Sequence, residues 1–206
     1  LVSIRHSIDT NNEFYDKENE YMDEISPILF GFTNDFYKAL VNSKFKDKLI
    51  KKYGKLLFDL AENTLKVFSN EIIPDAQEEN RLSSKYSKLI ASAKIDFDGK
   101  ELNLSQMVPY TQSKDRNVRI EAAKKVAQFF AENQEEFDNI YDSLVKVRTK
   151  MAQKMGYKNY VEFGYKQLSR LEYDAKMVEG YRKQVLENIV PLHTELRKRQ
   201  EKRLGM

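Results

Sequence analysis

Apolar residues recur at three- to four-residue steps along most of this 206-residue chain, which is the pattern of amphipathic α-helices. The longest such run lies in the second half of the chain and ends at Gly156. Only seven Gly and four Pro are present, so little interrupts long helices. The pattern predicts an all-α fold of mostly long antiparallel helices. The members of the longest stripe are Val118, Ala122, Val126, Phe129, Phe130, Phe137, Ile140, Tyr141, Leu144, Val147, Met151 and Met155.

Proline, glycine and capping residues predict where the helices begin and end. Pro27 predicts a kink or a junction of two helices, and Pro191 a second kink, because proline lacks the backbone N–H that a helix needs. Gly54 is expected to weaken its helix only slightly. The polar segment 3–14 is expected to be hairpin-like. The helices are predicted over about 12–41, 43–68, 74–93, 115–155, 159–168 and 174–204. Asp115 or Ser113 is expected to cap the fourth of them, and Asp174 the last.

One short segment departs from the helical pattern. Residues 95–97 alternate apolar and polar side chains, and Leu102 and Leu104 resume the alternation after Asp98-Gly99. Asp-Gly suits a type I′ turn, in which both central residues have positive φ. The sequence therefore predicts a small β-hairpin near residues 94–104. Because an isolated hairpin is barely stable in water, it must pack against a helix or present a strand edge to a partner.

Composition excludes several classes of protein. Lys and Arg number 35 against 32 Asp and Glu, and the two signs are interleaved, which argues against a nucleic-acid-binding surface. No apolar run approaches the roughly 20 residues that span a bilayer, so no membrane contact is expected. The lack of cysteine excludes disulfides, a thiolate metal site and a thiol nucleophile. We expect a cytoplasmic protein.

The two histidines do not form a metal-binding motif. A zinc peptidase needs His-Glu-x-x-His on a helix, whereas His6 and His193 stand far apart and alone. A di-iron site would need Glu-x-x-His, but Ser3 and Val190 occupy the positions of the Glu. We expect no metal site and no catalytic residue in this chain. His6 is expected at the surface near a frayed end, and His193 on the polar side of a charged helix.

Three blocks of sequence, Phe14–Pro27, Ala91–Arg119 and Tyr141–Ala175, resemble the M3 zinc oligopeptidases, specifically the oligoendopeptidase F branch. The resemblance runs along nearly the whole chain. It implies a full-length parent that binds zinc and hydrolyses oligopeptides in a channel between two largely helical halves. The zinc signature of the family is absent from these 206 residues.

The absent signature leads to an interpretation of the whole chain. The chain begins with Leu1 rather than Met, and residues 1–206 are expected to be the non-catalytic N-terminal lid or substrate-channel portion of a larger peptidase. A sub-boundary is expected near 105–114. The missing C-terminal catalytic half would be its partner and would hold the zinc. Without that half, exposed apolar surface predicts self-association or modest stability. The alternative is an autonomous helical interaction or scaffold module without enzymatic activity.

Two segments are candidates for contact with a peptide. Asp96 and Phe97 on one strand, and Leu102 and Asn103 after the turn, could pair with an extended peptide at the strand edge, or could form a structural corner. Arg170 and Tyr173 fall in a turn between two helices. An Arg there could hold a peptide carboxylate by two hydrogen bonds, or could pair locally. The nearby aromatic residues Tyr160, Phe163 and Tyr165 are interpreted as core.

Overall fold

The computed structural model describes residues 1–205, and it confirms the predicted all-α fold with one small hairpin. Met206, the last residue of the expected domain, lies outside the described residues. Within residues 1–205, no helix combines the length and the apolar character that crossing a lipid bilayer would take. The elements are α1 (Val2–Ile8), α2 (Glu13–Val41), α3 (Lys46–Tyr53), α4 (Lys55–Leu65), a 3₁₀ turn (Asn70–Ile72), α5 (Ile73–Ala91), β1 (Ile95–Phe97), β2 (Lys100–Leu102), α6 (Leu104–Thr111), α7 (Arg116–Glu132), α8 (Gln134–Lys154), α9 (Tyr160–Gln167), α10 (Ala175–Gln184), a π turn (Val185–Ile189) and α11 (Val190–Leu204).

Two buried clusters hold the helices together. The first lies where α5, α8 and α9 meet the segment after α4, and α2 packs against both α4 and α5. The second lies beneath the hairpin, against α6 and α7. The first contains Phe68, Ile72, Met151, Ala152 and Phe163, and the second Ala93, Ile95, Leu102, Met107, Ala122 and Phe129.

Ion pairs reinforce the contact between α5 and α8. The carboxylate of Asp75 is buried and accepts from Lys150 at 2.7 Å and Lys154 at 2.5 Å. One turn further along α5, Glu79 Oε1 lies 2.7 Å from Arg148 Nε. The two lysines replace the hydrogen bonds to water that the Asp75 carboxylate lost on burial, and they compensate its negative charge.

Three sequence expectations about helix boundaries are wrong. The segment before Asn12 contains the helix α1 rather than a hairpin. Gly54 has φ +89, a value at which an α-helix cannot continue, so it divides the expected second helix into α3 and α4. Asn133 divides the long helix into α7 and α8. Its Nδ2 donates to the carbonyl O of Phe129 at 2.8 Å, and such local bonds compete with the helical ladder.

The two prolines in long helices behave differently. α2 continues as one helix through Pro27, so no junction of two helices occurs there. In the last helix, the π turn Val185–Ile189 ends two residues before Pro191, which is the second residue of α11. The helix from Ala175 to Leu204 contains no buried residue and ends at Gly205, whose φ of +67 is the left-handed cap expected of glycine.

Candidate functional site

The hairpin residues divide into structural and exposed positions. Leu102 is buried in the second cluster. Asn103 caps α6, and its Oδ1 accepts from Gln106 N at 2.9 Å in a reciprocal capping box. Both side chains are therefore occupied by the fold. Asp96 is exposed and lies opposite Glu101 in the register.

Phe97 is half-buried and is held by a second aromatic ring. Its ring packs edge-on against Tyr110, with centroids 5.0 Å apart. The Tyr110 hydroxyl donates to Asp98 Oδ2 at 3.0 Å. These contacts fix the turn Asp98-Gly99, which has the positive φ values of 52 and 68 that a type I′ turn requires. Contact of the hairpin with a peptide stays a prediction.

The structure brings the second pair of candidates, Arg170 and Tyr173, together with a third residue. The Cζ of Arg170 lies 4.4 Å from the ring centroid of Tyr165 and 5.8 Å from that of Tyr173. The two rings are 6.4 Å apart and nearly perpendicular. A guanidinium above an aromatic ring is attracted to the negative face of the ring.

Local sequence explains how the loop after α9 returns Arg170 to Tyr165. Ser169 has a positive φ of 54, which reverses the chain at the end of α9. Arg170 N then donates to the carbonyl O of Tyr165 at 3.1 Å. Asp174 ends the loop as the N-cap of α10, where its Oδ1 accepts from Met177 N at 2.9 Å. The expected capping role of Asp174 is confirmed.

These residues line an open groove of about 560 Å³ between α9 and the start of α10. Its basic and acidic side chains are partly paired: Lys166 Nζ lies 2.7 Å from Glu162 Oε1. That hydrogen bond raises the pKa of Lys166. The groove is lined by Val161, Glu162, Tyr165, Lys166, Arg170, Leu171, Glu172, Tyr173, Asp174, Ala175, Lys176 and Met177.

Sequence reasoning missed Tyr165 as part of this site. Phe163 is fully buried, as expected of a core residue, whereas Tyr165 is half-buried and turns its ring to Arg170. The available signal was an aromatic residue in the last turn of a predicted helix, followed five residues later by an Arg in the next loop. We name these three residues, Tyr165, Arg170 and Tyr173, the Arg170 site.

The histidines do not fit a zinc site. His6 is only 5% exposed, which corrects the expectation of a surface residue. Its Nε2 lies 3.1 Å from Asp16 Oδ1, and Lys88 Nζ lies 2.5 Å from the same oxygen. His193 is exposed on α11. Across residues 1–205, no three His, Asp or Glu side chains stand together as metal ligands would.

Comparison with known proteins gives a consistent assignment. The model of the Peptidase M3 N-terminal domain matches residues 1–68. A crystal structure of an oligoendopeptidase F from Bacillus anthracis str. Ames is 52% identical, with a TM-score of 0.97 over 100% of this chain and 38% of that one. PZ peptidase A with an inhibitor is also 52% identical, with a TM-score of 0.97 over 100% of this chain and 36% of that one.

A further structure of oligoendopeptidase F is 49% identical, with a TM-score of 0.97 over 100% of this chain and 36% of its own. The search of curated proteins gave no match. The chain thus spans less than two fifths of the length of the solved structures that it matches. Over its whole length the chain is similar to an N-terminal portion of oligoendopeptidase F, and its first 68 residues match the Peptidase M3 N-terminal domain.

Proposed function

We propose that this chain shapes the substrate channel of a larger zinc-dependent oligoendopeptidase and carries no catalytic group itself. The observation that carries the proposal is the match of the entire chain, at 52% identity, to 38% of an oligoendopeptidase F. The two separated histidines support the non-catalytic role, since His6 is engaged by Asp16 and His193 stands alone on α11. In this proposal zinc and the catalytic groups belong to the remainder of the parent protein. The location of this protein in the cytoplasm stays a prediction.

The exposed face of α2 supports contact with that remainder. Its apolar residues keep helical spacing, yet they lie outside both buried clusters. Contiguous exposed apolar surface is unfavourable in water and usually marks a contact surface. We name this row the α2 stripe. Its exposed fractions are Phe14 63%, Tyr21 60%, Leu29 49%, Phe32 69% and Phe36 59%.

Complementation in trans tests the proposal. This chain is mixed with the remainder of the Bacillus anthracis relative, which lacks the matching portion, and cleavage of an internally quenched oligopeptide is followed with and without added zinc. We expect zinc-dependent cleavage from the mixture only. The Phe32→Glu variant should lower the rate, and Tyr141→Glu on α8, equally exposed at 72%, serves as the matched control.

Two results would contradict the proposal. Zinc-dependent cleavage by this chain alone would show that it carries a catalytic site. No gain in activity, together with no association of the two parts by analytical ultracentrifugation, would instead favour the autonomous interaction module.

A further inference from the structure

We propose that the Arg170 site binds the carboxylate of an oligopeptide, through two parallel hydrogen bonds from the guanidinium. The inference rests on the proposed function for the oligopeptide nature of the ligand. The carboxylate could belong to the C-terminus of the peptide or to an Asp or Glu side chain. The two sources share one chemistry, and the experiment below separates them.

The first argument is that Arg170 has no acceptor within the described chain. Three arginines of residues 1–205 are half-buried: Arg119, Arg148 and Arg170. Arg119 donates to two backbone carbonyls, and Arg148 pairs with Glu79 at 2.7 Å. The guanidinium of Arg170 makes no hydrogen bond and no ion pair to any of residues 1–205. Because partly buried charged donors are stabilised by acceptors, an external acceptor explains its position.

The second argument is that two aromatic rings already border the guanidinium. The Tyr165 ring lies against it at 4.4 Å and the Tyr173 ring borders it at 5.8 Å. Stacking uses the flat face of the guanidinium and leaves the N–H groups at its edge free. A donor that is fixed before binding loses less conformational entropy when it meets a ligand.

The third argument concerns the charges around the groove. Glu162 is paired with Lys166, and Asp174 accepts from the backbone of α10, so both acidic side chains are already engaged. Besides Arg170 and the paired Lys166, Lys176 adds a further positive charge on the lining, and Glu172 a negative one. Of these groups, Arg170 alone offers a planar fork of donors, which matches the two oxygens of a carboxylate. A groove of about 560 Å³ accommodates a few residues of a peptide.

Calorimetric titration of the chain with three forms of one tetrapeptide tests the inference. The first has a free C-terminus, the second is C-terminally amidated, and the third is amidated with one Glu side chain. We expect the first or third to bind about tenfold or more tightly than the second, because a hydrogen bond to a charged group contributes about 1.5–3 kcal/mol. Whichever of the two binds identifies the source of the carboxylate.

Variants assign the effect to the site. Arg170→Gln should abolish the preference for a carboxylate, and Arg170→Lys should retain only part of it. Arg182→Gln, at an exposed position outside the groove lining, is the matched control. Circular dichroism checks the fold of each variant. If Arg170→Gln does not fold, Arg170→Lys and the three peptides on the unmodified chain still decide.

Three outcomes would overturn the inference: equal affinity for all three peptides, no binding at millimolar concentration, or an unchanged preference in Arg170→Gln. These outcomes are independent of the complementation experiment. Binding of a carboxylate at Arg170, with neither complementation nor association of the two parts, would leave the site standing and remove the proposed function. Complementation by an Arg170→Gln chain with an unaltered peptide preference would leave the proposed function standing and remove the site.

Discussion

The Nδ2 of Asn80 donates a hydrogen bond of 2.9 Å to the backbone carbonyl O of Asp23. In a regular helix this carbonyl would accept from the residue four positions later, which is Pro27 and has no N–H. The same Nδ2 lies 3.3 Å from Ser26 Oγ. A side chain of α5 thus supplies the donor that the proline removes from α2, and the two helices are joined at that point.

We expect Asn80→Ala to lower the free energy of unfolding by about 1–2 kcal/mol, because the Asp23 carbonyl loses its partner. The effect should shrink when Pro27→Ala is added, since residue 27 then provides the missing N–H. Urea denaturation followed by circular dichroism measures both. Gln128→Ala, at an exposed position of α7, should change stability by less than about 0.5 kcal/mol. Equal effects of Asn80→Ala in both backgrounds would contradict this account.

Asp75→Asn should destabilise the chain by about 1.5–3 kcal/mol, because Lys150 and Lys154 lose a charged acceptor that is only 4% exposed. Asp142→Asn is the matched control. Asp142 also pairs with a lysine, Lys146, at 2.5 Å, but it is 60% exposed, so its loss should have little effect. Chemical denaturation compares the two variants. A loss of stability as small as that of Asp142→Asn would refute a stabilising role for the Asp75 pairs.

Stability should fall in acid through Asp16 and Asp75. Hydrogen bonding to Lys88, above all, lowers the pKa of Asp16. Burial by itself would raise the pKa of Asp75, but the hydrogen bonds from Lys150 and Lys154 outweigh it and lower the pKa below 3.8. As the pH falls, the unfolded chain therefore takes up these protons before the folded chain does. The stability that these two carboxylates contribute is present above about pH 4. It is lost as the pH falls further and the carboxylates of the folded chain take up protons at their lower pKa values.

Urea midpoints measured between pH 6 and pH 2.5 check this dependence. The double variant Asp16→Asn/Asp75→Asn should be less stable at pH 6 and should lose less stability on acidification. Parallel pH profiles for the variant and the unmodified chain would exclude these two carboxylates as the cause.

The isolated chain should self-associate through the α2 stripe. Phe32, at 69% exposed, lies in the middle of the stripe, so Phe32→Glu should lower the average mass at high concentration by placing a charge there. Size-exclusion chromatography with light scattering measures the mass. Tyr141→Glu should leave it unchanged. An unmodified chain that stays monomeric at high concentration would rule out this prediction.

Local sequence was sufficient for features whose cause is local. Asp98-Gly99 predicts the hairpin because the turn depends on the φ preferences of those two residues. Asp174 predicts the start of α10 because an N-cap bonds within its own turn. The break at Gly54 was missed because glycine is tolerated in many helices, and nothing nearby in sequence specifies its φ of +89.

Other features depend on residues that are distant in sequence. His6 is buried where it meets Asp16 of α2, which in turn pairs with Lys88 of α5, and no pattern around His6 in the sequence predicts either residue. Tyr165 belongs to the Arg170 site because the chain reverses at Ser169, whose positive φ is unusual for serine. The sequence predicted Arg170 and Tyr173 as neighbours, but it could not place the ring beneath the guanidinium.

The π turn at Val185–Ile189 also affects the far end of the last helix. A π turn contains about one residue more than a turn of α-helix. The side chains that follow it are therefore shifted by about 100° around the helix axis. By this geometry Leu192 and Leu196 rotate back toward the side occupied by Met177 and Tyr181. All four side chains are more than half exposed. They therefore align in a single apolar seam about 30 Å long, which one straight neighbouring surface could cover from end to end.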